Sequence, residues 1–346
     1  MIQPRIESPF TDGYATLHWE ADTQAFRKEE YHYCYHYYAC DETGERFLTP
    51  ELADLNTVQI YNQYRAKHHI LFPAQIKAMR EQYELTAARM SLLLDLGPNQ
   101  YRHYEDGEMP SASNANLLRL ASDPATFRRL VEAHQFDLRP NEYQRLISRL
   151  EQLSLPVVTG YGKVAILPIA PALAEEPDEY TGFATPDFVK FAEMVLFFFQ
   201  PLRHLGTVKL WKLMFYADFW HYRLTGSSIS GFRYQALPHG PVPRQYEKYI
   251  GAMVDEQLLE RVIDDTRVRT DGNGSVIWYA PVRPAKAELF TASEQVVLQE
   301  VLQKLGYKKR TEIEDLSHEE QAWLDNKANF DRISYQTYAY NLKAML

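Results

Sequence analysis

The chain has 346 residues, of which 45% are apolar and 13% aromatic, with a formal net charge of −9. That length suits two or three domains. No run reaches the roughly 20 apolar residues that span a bilayer, MIQPRIESPF lacks the apolar stretch of a signal peptide, and Cys34 and Cys40 are too few for a disulfide framework. These features exclude a membrane protein and a disulfide-built secreted scaffold, and they predict a cytoplasmic location with no membrane contact. Residues 1–184 hold 17 Lys+Arg against 26 Asp+Glu, a balance of −9, while residues 185–346 hold 20 of each and balance to zero. An acidic chain does not wrap nucleic acid over its length. Any DNA contact is therefore expected to be local and helped by dimerisation.

The fold class expected is mainly α with small β elements (α+β). Residues 1–69 read as a small β-unit and a connecting helix. YATLHWEA and YHYCYHYYAC are strand-like, DETG is a turn, and Thr49-Pro50-Glu51 opens a helix that runs to about Lys67. Residues 70–154 read as a helical bundle. Pro73 starts its first helix, with Ile76, Met79 and Tyr83 on one face. Thr86 is an N-cap, followed by Met90, Leu93 and Leu94 at helical spacing. Leu96-Gly97-Pro98 breaks that helix, and Asn99 to Glu105 makes a short second one that Asp106-Gly107 stops. Two short helices joined at a Gly turn are how many proteins place side chains in the DNA major groove. Further helices are expected after EMPSAS, near Pro124–Ala133 and at Pro140–Leu153.

Residues 155–186 read as a linker with one short strand, GKVAILPI. Residues 187–346 read as a mostly helical domain with a β-hairpin. Helices are expected at Asp187–Gln200, Thr207–Leu224, Gln245–Ala252, Thr291–Leu305 and Ser317–Lys327. SISGFRYQALPHGPVP reads as irregular, and VIWYAPV as one strand of a hairpin turning at DGNG.

The candidate chemistry is sparse. Asn99, Gln100, Arg102 and His103 lie at the start and exposed side of the second short helix. Asn and Gln can pair with adenine, and Arg with guanine or phosphate. The competing reading is a helical hairpin with solvated polar residues. Five Lys+Arg against six Asp+Glu over residues 70–121 argue for weak binding. Tyr101 and Tyr104 are expected to pack. His32, Cys34, His36 and Cys40 share one strand face, but eight residues of strand span about 26 Å, too far for ligands that must converge on one zinc. No metal or cofactor is expected. Asp218 and His221 are three apart on a helix, yet no nucleophile motif accompanies them, so no enzyme is expected. Trp211, Phe215, Trp220, Tyr222, Phe232, Tyr234 and His239 form a dense aromatic set. Most of it suits a core, but Trp and Tyr also dominate protein–protein hot spots, and the set is the expected partner-binding surface.

Two family resemblances follow from these segments. Residues 85–107, LTAARMSLLLDLGPNQYRHYEDG, resemble the helix-turn-helix of the MqsA-like antitoxin and regulator family, with capping Thr86, small Ser91, an LG turn and the closing Tyr104, Glu105 and Gly107. YYACDETGERFLTPE resembles the end of that family's zinc-binding module with the cysteine pairs absent, which implies a zinc-free variant. Residues from about 187 onward resemble the SocA-like, or Panacea, antitoxin domain, carried by KLWKLMFYADFWHYRLTGSSISG (209–231) and ALPHGPVP (236–243). The Panacea resemblance implies an antitoxin of a toxin–antitoxin or phage-defence system that binds a cognate protein toxin directly, and the MqsA-like resemblance implies promoter DNA bound, as a homodimer, through Asn99, Gln100, Arg102 and His103. The rival expectation is a DNA-binding regulator whose second domain senses a ligand or dimerises.

Overall fold

The computed structural model describes residues 2–154, 175–202, 205–268 and 275–345. It is mainly helical with small sheets, as the composition and periodicity lead one to expect. The chain divides into two compact units, one of Met1–Ile60 with Tyr161–Leu346 and the other of Tyr61–Gly160. Residues 1–60 thus join the C-terminal region in one unit rather than standing as a module of their own. GKVAILPI, most of the expected linker and the DGNG turn lie outside the described residues.

In the first unit the N-terminal residues form an antiparallel sheet of β1 (Arg5–Glu7), β2 (Tyr14–Phe26), β3 (Glu29–Cys40) and β4 (Arg46–Phe47). β2 and β3 pair without a register shift from Ala15↔Cys40 to Phe26↔Glu29. The hairpin closes on Arg27 and Lys28, both with positive φ (48° and 70°), the geometry of a type I′ turn. Helix α1 (Pro50–His68) begins at the predicted Thr49-Pro50 start. Its Asn56 and Gln59 side chains act as a substitute strand against β3. Asn56 accepts from His36 N–H (2.8 Å) and donates to His36 C=O (2.9 Å). Gln59 does the same with Cys34 (3.0 and 2.9 Å).

The unit centred on residues 61–160 holds α2 (Pro73–Gln82), α3 (Ala87–Leu93), α4 (Gln100–Glu105), α5 (Ala112–Ala121), α6 (Pro124–Ala133) and α7 (Pro140–Ser154). Thr86 caps α3 by accepting from Arg89 N–H (3.2 Å). Asn99 turns into α4 through the left-handed region (φ 62°). Tyr101 and Tyr104 are buried. The Tyr101 hydroxyl donates to Ile76 C=O (2.7 Å), and its N–H donates to the buried Ser91 hydroxyl (3.1 Å). A small residue is needed at 91 because the next helix starts directly against it. Tyr83 stacks on Phe127 with centroids 4.4 Å apart and donates to Ala121 C=O (2.7 Å).

The C-terminal part of the first unit is built on α8 (Phe188–Phe199) and α9 (Thr207–Thr225). Both are apolar nearly all round, so both are enclosed. The charged residues of α8 are paired: Lys190 with Glu294 (2.7 Å), and buried Glu193 with Arg283 and with Lys286 N–H (2.8 Å). Where the sequence reads as irregular, β5 (Tyr234–Leu237) and β6 (Gly240–Pro243) form a hairpin. Pro241 and Pro243 read as strand breakers, yet a proline is tolerated on a two-stranded ribbon wherever no N–H is needed. α10 (Tyr246–Asp255), the β7 (Leu259–Val268)–β8 (Ser275–Pro281) pair and α11 (Ala292–Val301) follow. The helix expected at Ser317–Lys327 is instead α12 (Arg310–Glu319) and α13 (Gln321–Leu324), broken at Glu320. The buried Glu320 carboxylate accepts from Lys343 N–H (2.9 Å), Ala344 N–H (3.0 Å) and the Tyr216 hydroxyl (3.2 Å), and those partners hold it outside helical geometry. α14 (Tyr335–Tyr338) ends the series.

Phe127 is fully buried and Phe136 is 92% exposed. Phe127→Ala should cost roughly 3–5 kcal/mol, while Phe136→Ala should stay within about 0.5 kcal/mol; urea unfolding of the two variants measures the contrast.

Candidate partner-binding site

α9 organises the surface that could meet a partner. From Leu210 to Phe219 every side chain is buried, including Lys212 and Asp218. Asp218 gathers the chain that follows the helix. Its carboxylate accepts from Ile229 N–H (2.9 Å), Ser230 N–H (2.8 Å), the Ser230 hydroxyl (2.6 Å) and the Tyr234 hydroxyl (2.8 Å). Complete burial pushes its pKa up to about 6 despite those four donors. One buried side chain therefore shapes the loop that leads into β5.

Lys212, one turn and a half earlier, supports the next turn. Its ammonium donates to Pro241 C=O (3.1 Å), and burial pushes its pKa down to about 7. Gly240 sits directly over it with φ +95°, and a Cβ there would lie 2.6 Å from Lys212 Cε and 2.5 Å from Ser317 Oγ. Trp323 Nε1 donates to Leu237 C=O (2.8 Å), and His318 stacks on Trp323 at 4.0 Å. The hairpin turn is thus clamped from below. At its tip Pro238 and His239 are exposed. His239 Nδ1 lies 2.9 Å from Glu314, which also lies 3.6 Å from Arg310.

The expected aromatic surface is corrected by this arrangement. Trp211, Phe215, Tyr222, Phe232 and Tyr234 are each no more than 2% exposed. They pack on one another and on their neighbours: Phe215 meets Tyr234 at 5.6 Å, and Phe191 meets Phe232 at 4.3 Å. Rings already enclosed in a core have no face left for a partner. Trp220 is half-buried, with its indole N–H donating to Glu300 (2.7 Å). Of the seven, His239 alone is exposed. The residues that set the site, Lys212, Asp218 and Gly240, lie in the segments 209–231 and 236–243, where the sequence shows two charges inside an apolar helix and a glycine after an exposed Pro238-His239 pair.

Asp218 and His221 do not form a dyad. His221 uses Ser227 C=O (2.7 Å) and the Ser293 hydroxyl (3.3 Å). The four candidate zinc ligands lie along the unbroken β3 ladder. His36 is committed to Asn56, and desolvation pushes its pKa down to about 4.

In the other unit, Asn99, Gln100, Arg102 and His103 lie at and along α4, as expected, but carboxylates attend the last three. Gln100 donates to Glu108 (2.9 Å), His103 Nδ1 is 3.4 Å from Glu108, and Arg102 is 4.0 Å from Asp106.

Residues 210–324 match the family described as antitoxin SocA-like, Panacea domain. The match spans α9, the β5–β6 hairpin and the helices that clamp it, and it supports an antitoxin-type role for the C-terminal part. No curated protein and no solved structure matches the chain. No helix among the described residues is long and apolar enough to cross a membrane.

The folded-state pKa of Asp218 lies above its ordinary value of 3.8, so folding favours the protonated carboxyl. Its contribution is fully present below about pH 4 and is lost as pH rises through about 6. A rise of that size corresponds to roughly 3 kcal/mol. Asp218→Asn keeps the side-chain shape without titrating. The stability of the parent relative to this variant should therefore fall between pH 4 and pH 6 and level off above; a rise over that range in urea titrations would refute the assignment.

Proposed function

We propose that this protein is an antitoxin that binds a cognate protein toxin directly through residues 187–346 and represses its own operon through residues 70–154, which bind promoter DNA as a homodimer in the cytoplasm. The family match over residues 210–324 is the observation that carries the reading. The toxin-facing surface is centred on the clamped Pro238–His239 turn with Glu314 and Arg310. A rigid, solvent-facing turn binds without the entropy cost of ordering a loop. Co-expression with the adjacent gene tests the core of the proposal. That gene product should arrest growth alone and be harmless beside this protein. A gene product that is harmless alone, or stays toxic in its presence, removes the antitoxin reading. His239→Glu places a like charge against Glu314 and should weaken toxin binding about tenfold by calorimetry, with thermal stability unchanged.

The DNA-binding part rests on the exposed donors of α4. Asp106 and Glu108 compete with phosphate and base edges for those donors, so binding is weak and depends on paired half-sites. Arg102→Ala with His103→Ala should lower promoter affinity in mobility-shift titrations while toxin neutralisation persists. Loss of both activities together in a folded variant would refute this division of labour.

A cavity favours the second reading, a DNA-binding regulator that senses a ligand. It measures about 170 Å³ and is lined by Glu175, Pro186, Phe232, Arg233, Arg244 and Tyr249 among others, with Arg233 paired to Glu175 and Asp178. A regulator of this kind would leave the adjacent gene product toxic and change its DNA affinity with a small ligand.

A further inference from the structure

We infer that the open edge of β2 is a docking site for an extended, basic segment of a partner protein, added as a further antiparallel strand. The N-terminal sheet has two edges, and they are treated differently. On the β3 side the outward backbone groups of Cys34 and His36 are taken by Gln59 and Asn56, and Cys40 N–H goes to Glu45 C=O (2.9 Å). On the β2 side, β1 covers only Tyr14–Thr16, and Leu17 N–H reaches Pro4 C=O (2.9 Å).

The direction of the Leu17 N–H identifies the outward set. Strand groups alternate, so the N–H and C=O of Trp19, Ala21, Thr23 and Ala25 point the same way, away from β3. Thr23 N–H is held by its neighbour Asp22 (2.8 Å). The N–H groups of Trp19, Ala21 and Ala25 have no hydrogen-bond partner among the described residues. Residues 21–25 are exposed. The stretch from Trp19 to Ala25 runs about 20 Å, long enough for a strand of ordinary length. Proteins usually blunt such an edge with lysine, proline or a bulge. This stretch contains no lysine or proline, and its register with β3 is unbroken.

Charge selects the occupant. Residues 19–30, the edge stretch and its turn, hold Arg27 and Lys28 against Glu20, Asp22, Glu29 and Glu30, a balance of −2, and Glu20 also pairs with Arg46 (2.8 Å). Glu20 and Asp22 lie on one face of the edge strand, beside Tyr33 and Tyr35 of β3. A strand bearing lysine or arginine at alternate positions would set those charges beside the two carboxylates. A second copy of this chain is disfavoured, because two-fold antiparallel pairing centred on Ala21 would oppose Glu20 to Asp22. Strand addition supplies affinity through main-chain hydrogen bonds and specificity through alternate side chains.

The test uses the full chain and a synthetic peptide of four Lys-Val repeats, so its outcome does not depend on the identity of any toxin. Saturating peptide should slow amide hydrogen exchange at Trp19 and Ala21 at least tenfold by NMR. Ala21→Pro removes an outward N–H without taking a bond from the β2–β3 ladder. It should weaken peptide binding at least tenfold at an unchanged melting temperature. If that variant loses structure, Glu20→Lys with Asp22→Lys tests the same edge by charge and should weaken binding of the basic peptide as much. Exchange unchanged by peptide, undiminished binding by folded Ala21→Pro or by the charge-reversed variant, or equal binding of a Glu-Val peptide would overturn the proposal. Protection of the same amides that grows with protein concentration alone would also overturn it, because a second copy would then be the occupant.

Discussion

The C-terminal part of the structure depends on one buried carboxylate. Asp218 sits inside a helix that is otherwise apolar and accepts four hydrogen bonds from the segment that follows. An ionisable group taken wholly out of water is costly unless its oxygens are satisfied. Three of the donors belong to the loop that must turn back across the helix, and the fourth, the Tyr234 hydroxyl, to the first residue of β5. The cost of burial and the path of the chain are therefore coupled: the loop cannot relax without stranding the carboxylate. From this loop the chain enters β5, and the β5–β6 turn then rests on Lys212 by way of Gly240 and Pro241. The exposed His239 turn is the outward result of two buried charges.

The N-terminal sheet shows a second constraint, the need to satisfy the backbone at strand edges. Side-chain amides of α1 close one edge with paired donor and acceptor contacts. The other edge carries acidic side chains, and among the described residues the N–H groups of Trp19, Ala21 and Ala25 have no hydrogen-bond partner. Glu20 and Asp22 lie along that edge, and Glu20 pairs with Arg46 (2.8 Å). The exposed polar side chains of α4 share their donors with carboxylates.

Much of the helical order was legible in the sequence because punctuation residues act locally. Thr86, Pro73, Pro124 and Pro140 mark helix starts through cap geometry and a fixed φ, which need no tertiary partner. The hairpin at 234–243 was not legible, since its prolines look like breakers until the missing N–H groups are seen to need no partner. The break at Glu320 was equally hidden, because its causes, Lys343 and Ala344, lie more than twenty residues away. The aromatic set misled for a related reason. An apolar helix signals burial or an interface alike, and only its neighbours decide which.

By itself the sequence determined the fold class, the helix starts, the packing role of Tyr101 and Tyr104, and the family resemblance of the C-terminal part, all consequences of local propensity and periodicity. Tertiary structure alone decided that Trp211, Phe215, Tyr222, Phe232 and Tyr234 are core, that His239 is surface, that residues 1–60 join the C-terminal region, and that the side chains of α1 close one edge of the N-terminal sheet. Those outcomes depend on which distant groups meet, and desolvation and backbone hydrogen bonding act only once they have met.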